Sequence, residues 1–263
     1  MNEVNKTLYI PLYGKAYVSK KGIILTDPKA EEIWDAEKFP LKGKSRSKWL
    51  AYYMGTRSAV FDDWLKQQLS SKEDAVIIHI GCGMDSRVLR AGDSHHKWYD
   101  VDFPQVIAER KRYFQESSTY EMIGADVRDP HWLSGIREKG QAVVIMEGIS
   151  MYLTTSELQA LTSGLCKHFN RISVLMDCYT PLAAKMSKYK NPINDVGVTQ
   201  VYGVDDPQVP EAGGLTFVKE HAMTPEHYIS QLQGSENYIF RKLYAGNFAK
   251  KLYRMFEYQK TDL

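Results

Sequence analysis

From residue 75 onward the chain alternates short apolar runs with amphipathic stretches, and this rhythm limits the possible folds more than any other feature. The runs are AVIIHI (75–80), KWYDVD (97–102), YEMIG (120–124), AVVIM (142–146) and ISVLMD (172–177). Apolar on successive residues, they need cover on both faces, as buried parallel strands do. Between them stand SRVLRAG, PQVIAERKRYF, PHWLSGIREKG and TSELQALTSGLCKHF, which read as helical connections. Strand–helix alternation of this kind predicts an α/β, Rossmann-like doubly wound sheet, mostly parallel.

The flanks follow other patterns. Residues 1–70 show strand-like alternation only within the first dozen. Helical spacing appears near 28–38, opened by the N-cap and proline pair Asp27-Pro28, and from Ser47 to Leu69. This part reads as a helical cap. Residues 179–215 hold Pro181, Pro192, Pro207, Pro210 and Gly213-Gly214, a broken stretch that suits a lid or substrate-binding insertion. NYIFRKLY (237–244) and KLYRMFEYQK (251–260), joined by AGNFAK, predict an antiparallel C-terminal hairpin that brings the sheet to seven strands. The expected organisation is one domain over 1–263: cap 1–70, cofactor-binding core 71–178, lid 179–215 and C-terminal sheet edge 216–263.

Composition excludes several classes of function. Lys plus Arg number 34 against 32 for Asp plus Glu, so the +2 balance gives no field that would gather nucleic acid. No apolar run approaches the length of a membrane span, and the N-terminus lacks the order of a signal peptide. The three cysteines form no Cys-x-x-Cys pair, and the seven histidines include no His-x-x-x-His. These features point to a cytoplasmic protein without metal, nucleic-acid or membrane partners.

The chemistry concentrates at the strand ends. HIGCGMDSR (79–87) follows the first strand, and Gly81 and Gly83 let its backbone turn sharply and approach a ligand. Cys82, between them, reads as a small residue filling the turn, and Gly81, Cys82 and Gly83 together are expected to form the cofactor-binding turn. The second strand ends in Asp100-Val101-Asp102, and a carboxylate there can accept bonds from both hydroxyls of a ribose. Spacing alone does not choose between the two; Asp102 is preferred as the one nearer the strand's carboxyl end. GADVRD (124–129) places Asp126 to accept from an exocyclic amine, with Val127 offering apolar surface and a backbone N–H; a local cap is the competing role for Asp126. MEGISMYL (146–153) places Glu147 at the same crevice. Three carboxylates beside a glycine turn describe an adenosine-type pocket. The phosphate-binding Gly-x-x-x-x-Gly-Lys loop is missing, and Ser86 stands where a dinucleotide fingerprint has its third glycine, so a ligand without phosphate fits better.

The chain resembles the leucine carboxyl methyltransferase-like group of class I methyltransferases, which includes the tetracenomycin-type polyketide O-methyltransferases, and the resemblance implies that this ligand is S-adenosylmethionine. The resemblance rests on LYGKAYVSKKG, TDPKA, YYMGTRSAVFDDWL, IGCGMDSR, WYDVDFPQVI, GADVRD and MEGISMYL, spread over nearly the whole chain. It implies that Arg57 and Lys15 meet the carboxylate of the methionine moiety and that Gly81 lies against it. Asp102 then takes the ribose, Asp126 and Val127 the adenine side, and Glu147 the amino end. Bacterial members usually have arginine where Lys15 stands, so the charge is kept and the bidentate fork lost.

The implied activity is O-methylation of a carboxylate or hydroxyl on a small molecule. A protein C-terminal carboxylate is the other acceptor the family suggests. A carboxylate acceptor needs no general base, whereas a phenol or enol needs one nearby. Tyr152, Tyr179, Tyr202 and His221 are weak candidates for such a role. The rival readings are an NAD-dependent dehydrogenase, which shares the Gly-x-Gly and the distant acid, and a non-catalytic adenosyl-binding module.

Overall fold

Strand order reverses at the centre of the sheet, and that reversal positions everything functional. In the computed structural model, which describes residues 7–92, 95–187, 200–204 and 206–260, seven strands lie in the order β3-β2-β1-β4-β5-β7-β6. Strands β1 (Val76–Ile80), β2 (Trp98–Asp102), β3 (Tyr120–Gly124), β4 (Gln141–Met146) and β5 (Arg171–Tyr179) are parallel. Strand β7 (Tyr253–Lys260) runs antiparallel to β5, and β6 (Thr216–His221) antiparallel to β7. The chain builds outward from β1 to β3, then returns to lay β4 on the other side of β1. A crevice opens beyond the carboxyl ends of β1 and β4 in such a topology.

The continuous apolar runs are explained by cover on both faces. Ile77, Val143, Ile145 and Leu175 turn toward the cap, while Ile78, Ile80, Val144, Met146, Val174 and Met176 turn the other way. On that second face they meet Leu158, Leu161 and Leu165 of α6 (Thr155–His168), whose N-terminus is closed by a capping box of Thr154 and Glu157. The connections after β1 and β2 are short helices, α4 (Arg87–Arg90) and α5 (Pro104–Arg110). PHWLSGIREKG contributes a 3₁₀ turn over Pro130–Gly135 rather than an α-helix.

The cap is helical as expected and gains one more helix. Helices α1 (Tyr9–Lys20), α2 (Pro28–Glu37) and α3 (Lys48–Leu69) form it, with Asp27 accepting from Ala30 N at 2.9 Å and Ser47 from Trp49 N at 3.2 Å. The strand-like alternation in the first dozen residues therefore misleads over Tyr9–Leu12, where the chain is helical and buries Leu12, Ala16 and Val18 in the core around α3.

The C-terminal expectation needs a correction. The antiparallel partner of β7 is β6, and residues 237–244 belong to α9 (Gly234–Tyr244). Period-two spacing of Tyr238 and Phe240 suggests a strand, but Phe240 and Tyr244 sit one helical turn apart, stacked at 5.2 Å, against Tyr52 and Tyr53 of the cap. TFVKEH escapes notice because it is an edge strand that is mostly exposed and reads as polar. Between these elements lie α7 (Pro181–Met186), α8 (Glu226–Ile229) and α10 (Asn247–Lys250). Residues 188–199 and 205 of the expected lid lie outside the described residues; of its remainder, Tyr202 N donates to Met151 O at 2.8 Å and Val204 N to Tyr179 O at 2.7 Å. No helix among the described residues is long and apolar enough to cross a membrane.

Candidate active site

A cavity of about 340 Å³ occupies the crevice at the strand-order reversal, lined by residues from β1, β2, the turn that follows β4 and the cap. The turn after β1 forms its floor. Gly81 has φ +69°, and a Cβ there would come within 2.9 Å of Ile149 Cδ1, so both backbone and space demand glycine. Gly83 N donates to Asp102 Oδ2 at 2.8 Å, tying the turn to β2. Cys82 is buried between the glycines, and burial pushes its thiol well above the ordinary range, which suits a packing residue and not a nucleophile.

The structure separates Asp100 from Asp102. Asp100 is fully buried and saturated by Trp98 Nε1 at 2.8 Å, Arg110 Nη2 at 2.5 Å and Tyr120 OH at 2.6 Å. Burial opposes its charge, but Arg110 and the other donors outweigh that and hold it at about 2. Asp102 lines the cavity and, among the described residues, accepts only from backbone, Gly83 N and Phe103 N, the latter at 2.7 Å. Burial pushes its carboxyl up despite those two bonds. A carboxylate so placed favours further donors, and a ribose diol has two to offer.

Asp126 and Val127 both reach the cavity, Val127 buried and Asp126 partly exposed. Arg128 forks onto Asp126 with Nε at 2.9 and 3.0 Å from the two oxygens, and Arg128 N donates to Oδ1 at 3.0 Å. This combines the local-cap role with a place at the cavity wall. Hydrogen bonding from Arg128 holds the Asp126 carboxyl below its usual value.

Glu147, at the end of β4, is the centre of a buried charge network. Arg57 donates from Nε to Oε1 at 3.1 Å, and its Nη2 stands 2.9 Å from the same oxygen. Arg87 Nη2 takes Oε2. Burial works against the ionised form, yet Arg87, Arg57 and then Lys15 hold Glu147 at about 2. Arg57 Nη1 also donates to Tyr253 OH at 2.9 Å and pairs with Asp177 Oδ2 at 3.2 Å, while Tyr253 OH donates to Asp177 at 2.8 Å. Lys15 Nζ lies 3.2 Å from Asp85 Oδ2, so among the described residues its ammonium keeps donors to spare, whereas Arg57 is engaged on both edges.

Sequence reasoning did not single out Asp85, Arg87, Asp177 or Tyr253. Asp177 carried the same signal as Glu147, a carboxylate closing an apolar run; Asp85 and Arg87 stood inside the IGCGMDSR motif. Tyr253 gave no signal, because it arrives from the far end of the chain. Of the weak candidates, Tyr152 and Tyr179 line the cavity. Tyr202 and His221 do not: Tyr202 OH accepts from Gln200 Nε2 at 3.0 Å, and His221 Nε2 sits 2.6 Å from Glu257 Oε2 across the β6–β7 edge. No cluster of His, Cys, Asp or Glu among the described residues could hold a metal ion.

The chain is similar to known methyltransferases. The profile of the leucine carboxyl methyltransferase family matches residues 6–166. The tetracenomycin polyketide synthesis O-methyltransferase of Streptomyces glaucescens is 29% identical over 204 residues, covering 75% of this chain and 76% of that protein. An S-adenosyl-L-methionine-dependent methyltransferase of Gibberella zeae is 28% identical over 181 residues, 63% of this chain and 60% of that one. In fold, the chain resembles the magnesium protoporphyrin IX methyltransferase of Synechocystis PCC 6803 crystallised with bound SAH, at a TM-score of 0.54 and 13% identity, over 94% of this chain and 97% of that one. With more than half its length matched and the strand-end carboxylates gathered around one cavity, the chain belongs to the leucine carboxyl methyltransferase family of S-adenosylmethionine-dependent methyltransferases.

Proposed function

We propose that the protein methylates an oxygen, carboxylate or hydroxyl, of a small molecule, and that the cavity at the strand-order reversal holds both donor and acceptor. The observation that carries this is Asp102, a cavity carboxylate fixed by two backbone amides beside the Gly81 turn, with no cation bonded to it among the described residues. The O-methyltransferase of Streptomyces supports the oxygen acceptor, and the S-adenosyl-L-methionine-dependent methyltransferase of Gibberella supports the donor.

When bound, S-adenosylmethionine supplies an electrophilic methyl group on a sulfonium. The chain's own residues position and exclude. Asp102 accepts from the ribose hydroxyls, Asp126 from the adenine amine with Val127 covering the ring, and Lys15 uses its spare donors on the methionine carboxylate. Glu147 attracts the ammonium, and Arg57 locks Glu147 in place while adding positive charge near that carboxylate. Tyr152 and Tyr179 line the cavity for the acceptor. Burial pushes the Tyr152 hydroxyl far above neutrality, so it orients an acceptor oxygen and does not remove its proton. Alignment and removal of water then carry most of the rate acceleration. Because Lys15 and Arg57 come from the cap, Asp102 and Glu147 from the core and Tyr253 from the C-terminal strand, residues 1–263 act as one catalytic unit. Three buried free thiols support a reducing, cytoplasmic setting.

Isothermal titration with S-adenosylmethionine, its demethylated product and NAD tests the assignment. Binding of the first two and not of NAD is expected. Binding of NAD alone overturns it.

A further inference from the structure

Five of the seven exposed large apolar side chains among the described residues gather on three short helices of one region. Helix α9 presents Tyr238, 67% exposed, and Leu243, 58%; α10 presents Phe248, 60%; α7 presents Leu182 and Met186, 45% and 44%. The three helices are joined. Thr180 at the start of α7 donates from N to Leu252 O at 3.0 Å and from Oγ1 to Lys251 O at 2.7 Å, directly after α10. Exposed apolar groups concentrated in this way mark an interaction surface, whereas scattered ones need no explanation.

The charge of the same region is one-sided. Helices α7, α9 and α10 and the residues up to Arg254 carry Lys185, Arg241, Lys242, Lys250, Lys251 and Arg254 against one acid, Glu236, which is paired with Lys21 and Lys48 of the cap, in a chain whose overall balance is only +2. Arg241 is occupied by Glu226 and Arg254 by Glu220. Lys242, Lys250 and Lys251 are exposed and have no carboxylate partner among the described residues. The surface therefore seeks an anionic partner with an apolar interior. A second copy of the chain would set these lysines against one another. Aromatic and aliphatic groups interspersed with lysines suit a lipid headgroup boundary, where the rings and alkyl chains enter and the ammonium groups stay at the anionic level.

The patch also lies close to the cavity. Tyr179 immediately precedes α7 and Tyr253 closely follows α10; both line the cavity, and their rings meet at 4.8 Å. Tyr244 of α9 packs on Tyr53 at 5.6 Å, and Tyr53 on Tyr253 at 6.2 Å.

We propose that the face formed by α7, α9 and α10 docks peripherally on anionic membranes and presents the acceptor end of the cavity to the lipid boundary. This revises the expectation of no membrane partner, which rested on the lack of a spanning run and does not bear on surface attachment.

Vesicle co-sedimentation of the full chain tests it, with phosphatidylglycerol–phosphatidylcholine vesicles against phosphatidylcholine alone, at low and high salt. Partition onto the anionic vesicles should exceed that onto the neutral ones about tenfold or more and fall with salt. The variants L243S/F248S and K250E/K251E should each lose about tenfold in partition. Both should keep the parent's thermal melt and its titration with S-adenosylmethionine, since neither pair lines the cavity. Absence of vesicle binding, or equal binding by parent and variants, overturns the proposal. So does a concentration-dependent dimer that L243S/F248S abolishes, because the apolar face would then belong to a second copy.

Discussion

Arg57 Nη2 stands 2.9 Å from Glu147 Oε1, although one residue belongs to a cap helix and the other to the end of a central strand. Both side chains are buried, so the pair fastens the cap over the crevice in surroundings where an unpartnered charge is costly. Arg57→Ala should lower the stability read by urea denaturation by about 3–5 kcal/mol, since it takes the ion-pair partner from buried Asp177 and leaves Glu147 with Arg87 alone. Affinity for S-adenosylmethionine should fall as well, whereas adenosine, which has no carboxylate, should bind nearly as before. Arg57→Lys should recover part of each loss, because a point charge cannot reproduce the planar fork. Equal weakening of both ligands by Arg57→Ala would make Arg57 a purely structural clamp.

Asp100 and Asp102 allow a paired test. Asp102→Ala should weaken S-adenosylmethionine by about 1.5–3 kcal/mol, through lost charge-assisted hydrogen bonds, with a modest effect on stability. Asp100→Ala should do the reverse. It leaves Arg110 buried without its carboxylate, at a cost of about 3–5 kcal/mol in folding. Titration calorimetry and urea denaturation on both variants check the contrast, and the assignment of Asp102 to the ribose fails if its variant binds like the parent.

How far this site could be read in advance depended on where each residue stands in the chain. The five parallel strands and α3 were legible because burial writes a pattern that no other arrangement explains, and Gly81, Asp102 and Glu147 were legible because strand ends lie beside the crevice by topology. Residues 237–244 were misread because a short apolar segment fits period two and period 3.6 equally, and only the packing of Phe240 and Tyr244 on the cap decides. Helical spacing alone makes Arg57 a surface charge on an amphipathic helix, and only the family resemblance places it at the ligand. It is buried because α3 lies between α1 and the sheet, a fact of tertiary packing that helical spacing does not carry. Tyr253 was invisible for the same reason, since its partners Arg57 and Asp177 are 196 and 76 residues away.

The charge network sets a sign for the acid response. Glu147 and Asp100 both sit at about 2 in the folded chain, below their ordinary 4.5 and 3.8. As pH falls the unfolded chain binds protons first, so their contribution is complete above about pH 4.5 and is lost toward about pH 2. Asp177 acts in the opposite sense. Burial raises its carboxyl, so the folded chain binds that proton first and the penalty of its charge eases on acidification. Urea midpoints measured from about pH 6 down to about pH 3 should fall for the parent, fall less for Glu147→Gln and fall more steeply for Asp177→Asn. A Glu147→Gln profile parallel to the parent's would show that this carboxylate is not held down.

Gly148 follows Glu147 and has φ +72°, and a Cβ built there would lie 3.3 Å from Arg57 Nη1. Gly148→Ala should therefore impose two separable effects, backbone strain of about 1–2 kcal/mol and a push on the guanidinium. Gly22 isolates the first. Its φ is +66° and nothing stands within 4 Å of its Cβ position, so Gly22→Ala should show strain alone. Both variants should unfold at lower urea, and only Gly148→Ala should also bind S-adenosylmethionine more weakly, because Arg57 would be displaced from Glu147 and from the methionine carboxylate. If the two variants match in stability and both retain the parent's affinity, the contact between Gly148 and Arg57 has no part in holding the ligand.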